Sequence, residues 1–319
     1  MAFGSTNKHR LIRCVVGSET YCLKLDLIRS IERVDRLQRN FGSGDLVGWV
    51  PGNDSKTPVF SLASRLNMTK PMLQLEDRII VVSIEDESWG LLVDQVSDVL
   101  EVHNEDIYPL HSVFAGAANY FESIAWMADQ FRLCLAVDRL CLEGSRKPIP
   151  PPVLPALPRI SGASNIAAPK GKGQILMFTP AKSAVPNWVL AVSLTQVMEV
   201  LEPLSITRVQ GAPDYVLGFV NWRHNPVPVI DLNARLGLGA PAAKTESLSK
   251  TDCRLLIARA ASTPQLCGFL IQPNSKTQSL PIPHEPLSED LPIARMWTKG
   301  IFELENETLV VPDLDRLIA

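Results

Sequence analysis

The chain has 319 residues, 46% hydrophobic and 20% charged, with a formal net charge of -3. This composition excludes an intrinsically disordered chain, and the acidic balance argues against non-specific nucleic-acid binding, which needs a basic field. No apolar run reaches the roughly 18 residues that a membrane-spanning helix requires.

The first ten residues have neither the apolar core nor the cleavage site of a secretory signal, which predicts a cytoplasmic protein. Tyr21, Leu23, Leu25 and Leu27 then alternate with Cys22, Lys24 and Asp26, the period of a half-buried strand. Arg29, Arg33, Arg36 and Arg39 follow at spacings of 4, 3 and 3. On a helix they form one basic stripe, a candidate docking patch for an acidic partner that adds on-rate and specificity. The same stretch also reads as an irregular sheet edge, with the arginines simply solvated.

Residues 48–68 recur at 218–238, 170 positions later. Seven positions of the 21 are identical: Gly48/Gly218, Val50/Val220, Pro58/Pro228, Val59/Val229, Leu62/Leu232, Arg65/Arg235 and Leu66/Leu236. Three more landmarks recur in the same order. Tyr21 to Leu27 is aligned with Trp188 to Leu194, Trp89 to Val93 with Cys267 to Ile271, and Arg132 to Leu140 with Thr308 to Leu317. A duplicated domain is the reading, with a longer loop in the second copy around Gly237 to Thr251. The runs Arg78 to Ile84 and Arg254 to Ala258 read as buried strands. Short helices are expected after Leu62 and Leu232 and near the end of each copy.

Between the copies, the stretch from Glu143 to Gln174 holds seven prolines. Such density suits an extended spacer and neither a helix nor a sheet ladder. Residues 1–145 are therefore the first domain, 146–172 a proline-rich linker and 173–319 the second domain. The proline run at 148–158 could also be read by a polyproline-binding partner, but a spacer explains it without one.

In the second copy, Asn221, Arg223 and His224 fall between two apolar strands, on a hairpin tip. Loop tips on rigid scaffolds often carry binding residues, and the planar fork of arginine suits interface anchors. A solvated turn using asparagine for its backbone habits accounts for the same residues. Asp94 and Asp231 are candidate acids for a cleft enzyme, but Asp231 sits where it would cap the following helix, and Asp138 and Asp315 open the terminal helices in the same way. No nucleophile–base set, glycine-rich phosphate loop or ATP-binding motif accompanies them, so neither an enzyme nor a cofactor is expected. The five histidines (His9, His103, His111, His224, His284) are scattered, and no metal site is expected. The six cysteines form no Cys-x-x-Cys pair and read as reduced core thiols.

These residues resemble the CheW family of chemotaxis coupling proteins. In the second copy, Gly218, Asn221, Arg223, Pro228, Val229, Ile230, Asp231 and Leu232 fit the family's Gly-x-x-Asn-x-Arg-Gly-x-x-x-Pro-Val-Ile-Asp-Leu element. Gly90, Val93, Asp94 and Val96 of the first copy fit its Gly-x-x-Val-Asp-x-Val element. The copies also depart from the pattern. The first has Pro51 and Gly52 where the Asn-x-Arg-Gly segment belongs. The second has His224 in place of the family glycine, and Gln272 and Pro273 after Ile271.

The resemblance implies a mainly β protein with short helices. It would contain two tandem CheW-like domains, each of two small five-stranded SH3-like barrels. It implies a non-enzymatic adaptor without cofactors that couples methyl-accepting chemoreceptors to a CheA-type histidine kinase, in the cytoplasm at receptor arrays near the inner membrane. Asn221, Arg223, His224, Arg29, Arg33 and Arg36 are the expected protein-binding residues. A second reading is a regulatory or dimerisation protein of a chemosensory pathway controlling pili or second-messenger output, with the first domain purely structural.

Overall fold

The computed structural model describes residues 8–40, 44–52, 56–69, 72–142, 173–183, 187–238, 252–280, 285–286, 295–304 and 307–318. Apart from a short segment at 111–113, these fall into two compact units that part between 142 and 173. The expected linker, its proline run and most of the second copy's long loop lie outside the described residues.

Each unit holds two sheets. In the first unit, one sheet runs Ile107–Pro109, Phe121–Met127, Gln130–Leu135, Glu19–Lys24, Lys8–Val16, Gln95–His103. The other runs Ile28–Arg33, Arg78–Ile84, Glu87–Val93, Lys56–Ser61, Leu46–Pro51, Gln38–Arg39. In the second unit the orders are Lys276–Ser279, Gln174–Phe178, Trp188–Ser193, Thr308–Pro312, Thr298–Glu303, Glu285–Pro286, and Val197–Leu201, Arg254–Arg259, Leu266–Ile271, Asn225–Ile230, Val216–Trp222. The three six-stranded orders begin and end on successive strands of the chain. Ile28–Arg33 and Gln38–Arg39, for example, are separated only by a 3-10 turn at Val34–Arg36. One bent segment thus pairs with both ends of its sheet. The bridge from Thr207 to Phe219 does the same for the five-stranded sheet. The count of five per sheet comes from taking each bent segment once, and the ladders curl strongly without closing into an uninterrupted barrel.

The repeat reappears as identical pairing. Gly48 sits opposite Val59 and Gly218 opposite Val229, each after a bulge, at Leu46/Gly48 and Val216/Gly218. Val59 then pairs in parallel with Gly90, and Val229 with Gly268. Gly48 and Gly218 have φ of +157° and +140°, and a Cβ would lie 2.2 Å from the carbonyl oxygens of Gln38 and Thr207 respectively. The bent segment crosses directly over these two residues, so only glycine fits.

The cores match as well. Val50, Val59, Ile79, Val81 and Leu92 line the repeat-bearing sheet of the first unit. Val220, Val229, Leu255, Ile257 and Leu270 line that of the second. Each such side chain contributes about 1.5–3 kcal/mol on burial.

One alignment differs from the sequence reading. Tyr21 pairs with Leu133, and the matching pair in the second unit is Leu190 with Val310. Tyr21 therefore corresponds to Leu190 and not to Trp188, a slip of two residues. Strand alternation cannot detect a slip of two, because it leaves every side chain on the same face. The strand that holds Tyr21 also stops at Lys24, where Leu25–Leu27 turns as a 3-10 helix.

The helices inside the repeat are Leu62–Arg65 and Leu232–Leu236, and each unit has another further on, Val137–Leu142 and Leu314–Ile318. Asp231 caps its helix as expected, its Oδ1 accepting the N–H groups of Asn233 at 2.9 Å and Ala234 at 3.4 Å. Asp315 instead accepts from the backbone and hydroxyl of Ser262 at 2.7 and 2.5 Å. Its carboxylate braces a neighbouring loop and does not cap its own helix. No described helix is long and apolar enough to cross a membrane.

Candidate functional site

The strands Val216–Trp222 and Asn225–Ile230 form a hairpin joined by two residues, Arg223 and His224. Their φ angles are +52° and +60°. A two-residue hairpin turn with both φ positive matches the twist of the flanking strands, and Asn-Gly is its favoured sequence. Neither residue here is glycine, so the left-handed conformations are strained and persist because the surroundings hold them. Asn221 Oδ1 accepts the N–H of His224 at 3.1 Å, and Asn225 Nδ2 donates to the carbonyl of Arg223 at 3.0 Å. The asparagines thus fasten the turn from both sides, and Asn221 acts here through the backbone it holds.

Glu199 completes the tip. It lies on Val197–Leu201, at the other edge of the same sheet. Its Oε2 accepts from Trp222 Nε1 at 2.8 Å and from Arg223 Nη2 at 3.0 Å. The guanidinium carbon of Arg223 stands 4.9 Å from the centre of the Trp222 ring. The side chain of Arg223 remains 67% exposed, so the ion pair is screened and adds little stability. Its effect is positional: one nitrogen of the guanidinium is held while the side chain stays largely exposed. Sequence reasoning missed Glu199, which is 24 residues from Arg223 and meets it only because the sheet curls.

The first unit does not reproduce this arrangement. Ser30 pairs with Val81 at the register where Glu199 pairs with Ile257, so a hydroxyl stands at the position of the carboxylate strut. Residues 53–55, which would form the tip, lie outside the described residues.

The arginine series does not form a helical stripe. Arg29 and Arg33 lie on the strand Ile28–Arg33, Arg36 in the 3-10 turn and Arg39 in the next short strand. Tight pairing with Arg78–Ile84 commits this stretch to a sheet edge, and strand spacing leaves only Arg29 and Arg33 on one face. Arg29 Nη1 donates to Ser88 Oγ at 3.3 Å, Arg33 pairs with Asp35 at 3.3 Å and Arg36 with Glu32 at 2.5 Å. The hydroxyl of Ser30, and behind it Arg36, holds the Glu32 carboxyl below its ordinary range. Arg33 and Arg36 are therefore already matched by carboxylates of their own segment.

The two carboxylates weighed as acids are occupied by backbone amides. Asp94 Oδ2 accepts the N–H of Gly17 at 2.7 Å, and Asp231 is the cap described above. All six cysteines are free and buried, and burial pushes the thiols of Cys14 and Cys141 up to about 12. Among the described residues, no group of three or more His, Cys, Asp or Glu side chains is placed to hold a metal ion.

The chemotaxis protein CheW of Helicobacter pylori is 33% identical over 123 residues, 38% of this chain and 68% of that protein. The chemotaxis protein CheW of Bacillus subtilis is 29% identical over 99 residues, 31% of this chain and 64% of that protein. The crystal structure of the scaffolding protein TtCheW from Thermoanaerobacter tengcongensis aligns with a TM-score of 0.38 at 21% identity, covering 41% of this chain and 91% of that one. The profile of the CheW-like domain matches twice, at residues 10–145 and 174–319. The chain belongs to the CheW-like domain family and carries that domain in two tandem copies.

Proposed function

We propose that this protein is a non-enzymatic adaptor of a chemotaxis-type signalling system, bridging chemoreceptors and a CheA-type histidine kinase. The observation that carries this reading is the hairpin tip of the second domain. Asn221 fixes the turn and Glu199 presents an exposed Arg223, on a scaffold whose relatives include chemotaxis CheW proteins. An arginine held by one nitrogen suits recognition of a partner carboxylate. Two domains on one chain raise each other's effective concentration to the millimolar scale, so two weak contacts sum to a strong one. The adaptor would work in the cytoplasm, beside receptor arrays. Titration calorimetry of the full chain against the kinase regulatory domain and a receptor-tip fragment from the same cell tests this. Binding to both, with a ternary complex, is expected, and binding to neither would overturn the adaptor reading.

The replaced strut and departed tip of the first domain favour a second reading, in which that domain is structural and the protein regulates pili or second-messenger output. Binding confined to the second domain's partner would select it.

A further inference from the structure

The arginine shared by both repeats is charge-matched in one domain and unmatched in the other. Arg65 and Arg235 occupy the same place in the matching short helices. In the first domain, Arg65 Nε donates to Asp45 Oδ2 at 2.7 Å and its guanidinium lies 3.8 Å over the ring of Phe60. The carbonyl of Asp45 accepts the N–H of Ser61, and in the second domain the corresponding carbonyl, which accepts the N–H of Asp231, belongs to Tyr215. A tyrosine therefore stands where the first domain supplies its carboxylate.

Arg235 is stacked instead between two rings, 4.0 Å from the centre of Tyr215 and 3.7 Å from that of Trp297. Its Nε is buried with no acceptor, and no carboxylate among the described residues pairs with it. Burial pushes its guanidinium down from its ordinary value, and Tyr215 opposes this in part. Both faces of the guanidinium are occupied, which leaves the in-plane N–H edge. That edge has the geometry for two parallel bonds to one carboxylate. A half-buried cation without an anion is costly, and a carboxylate arriving from outside would relieve that cost. Met296, the residue before Trp297 in the chain, is an apolar side chain 49% exposed.

We infer that the Tyr215–Arg235–Trp297 sandwich is a docking point for an acidic side chain of a partner protein, flanked by an apolar residue that rests on Met296. This site differs from the hairpin tip in elements and residues, and its test does not depend on the identity of the kinase or receptor.

The probe is a short peptide with glutamates alternating with leucines, and its glutamine counterpart is the control. The readout is the side-chain Nε–Hε NMR signal of Arg235 in the full chain, assigned by its loss in Arg235→Lys. A saturable shift with the glutamate peptide and none with the glutamine peptide is expected. Tyr215→Asp restores an internal carboxylate as in the first domain and should weaken the peptide at least tenfold. If that variant does not fold, Arg235→Lys, which keeps the charge but lacks the fork, should weaken it at least tenfold, followed through signals of Trp297. No shift with either peptide, or equal shifts with both, would overturn the proposal. So would an Arg235 signal already bonded without peptide and released by Glu289→Gln with Asp290→Asn, which would place the counter-charge within the chain.

Discussion

The hairpin of Leu46–Pro51 with Lys56–Ser61 and that of Val216–Trp222 with Asn225–Ile230 follow the same pairing scheme below the tip and differ in sequence at it. Trp49 faces Pro58 as Phe219 faces Pro228, and both bulge at the residue before the shared glycine. At the tip, the second domain has Asn221, Arg223 and the Glu199 strut, while the first has Pro51, Gly52 and Ser30. After duplication, packing and backbone crossing held the lower part of each hairpin fixed. Solvent imposes no such constraint on the tip, so the tips were free to specialise.

The equivalence below the tip can be broken most severely at the glycines. Gly48→Ala and Gly218→Ala should each cost about 4 kcal/mol, from overpacking against a carbonyl together with a strained φ. Denaturant unfolding of the full chain checks this, and a large loss at one position alone would mean that the two crossings differ. Next come the strands that pair with the hairpins. Val93→Ala and Ile271→Ala remove buried side chains, 1% and 0% exposed, at the ends of equivalent strands. Each should cost about 1 to 4 kcal/mol, more for Ile271 because a larger cavity is left. The smallest effect is at the caps, where the copies differ chemically. Ser61→Ala and Asp231→Ala should each cost about 1 kcal/mol, with Asp231 the larger because it accepts two N–H groups where Ser61 accepts one.

Particular residues show what the sequence could and could not reveal. Gly48 and Gly218 were legible because a crossing carbonyl leaves no room for a Cβ, and the Gly90/Gly268 match because packed side chains of the neighbouring strands, Val59 and Ile79 in one copy and Leu255 and Val229 in the other, close over them. Asp231 was legible as a cap because its position before an apolar helix has a local cause. The slip at Tyr21 was not legible, since a period of two hides even-numbered shifts. Of the two readings of the arginine series, the irregular sheet edge is the one the structure shows, and the helical stripe is not, because sheet pairing claims the segment. Glu199 and the Tyr215–Arg235–Trp297 sandwich were invisible because their partners meet only through the curl of the sheets.

The proposed adaptor role implies that the fold was kept in both domains and the partner contact at one tip. Arg223→Glu and Asn53→Glu, each in the full chain, test it through affinity for the CheA-type kinase regulatory domain and the receptor tip. Arg223→Glu places two carboxylates together at Glu199 and removes the exposed fork, and it should weaken binding by about 1 to 3 kcal/mol with unfolding unchanged. Asn53→Glu, at the aligned position of the first domain, should change affinity by less than about 0.5 kcal/mol, as surface substitutions away from an interface do. Equal losses at the two positions, or no loss at Arg223, would contradict the account.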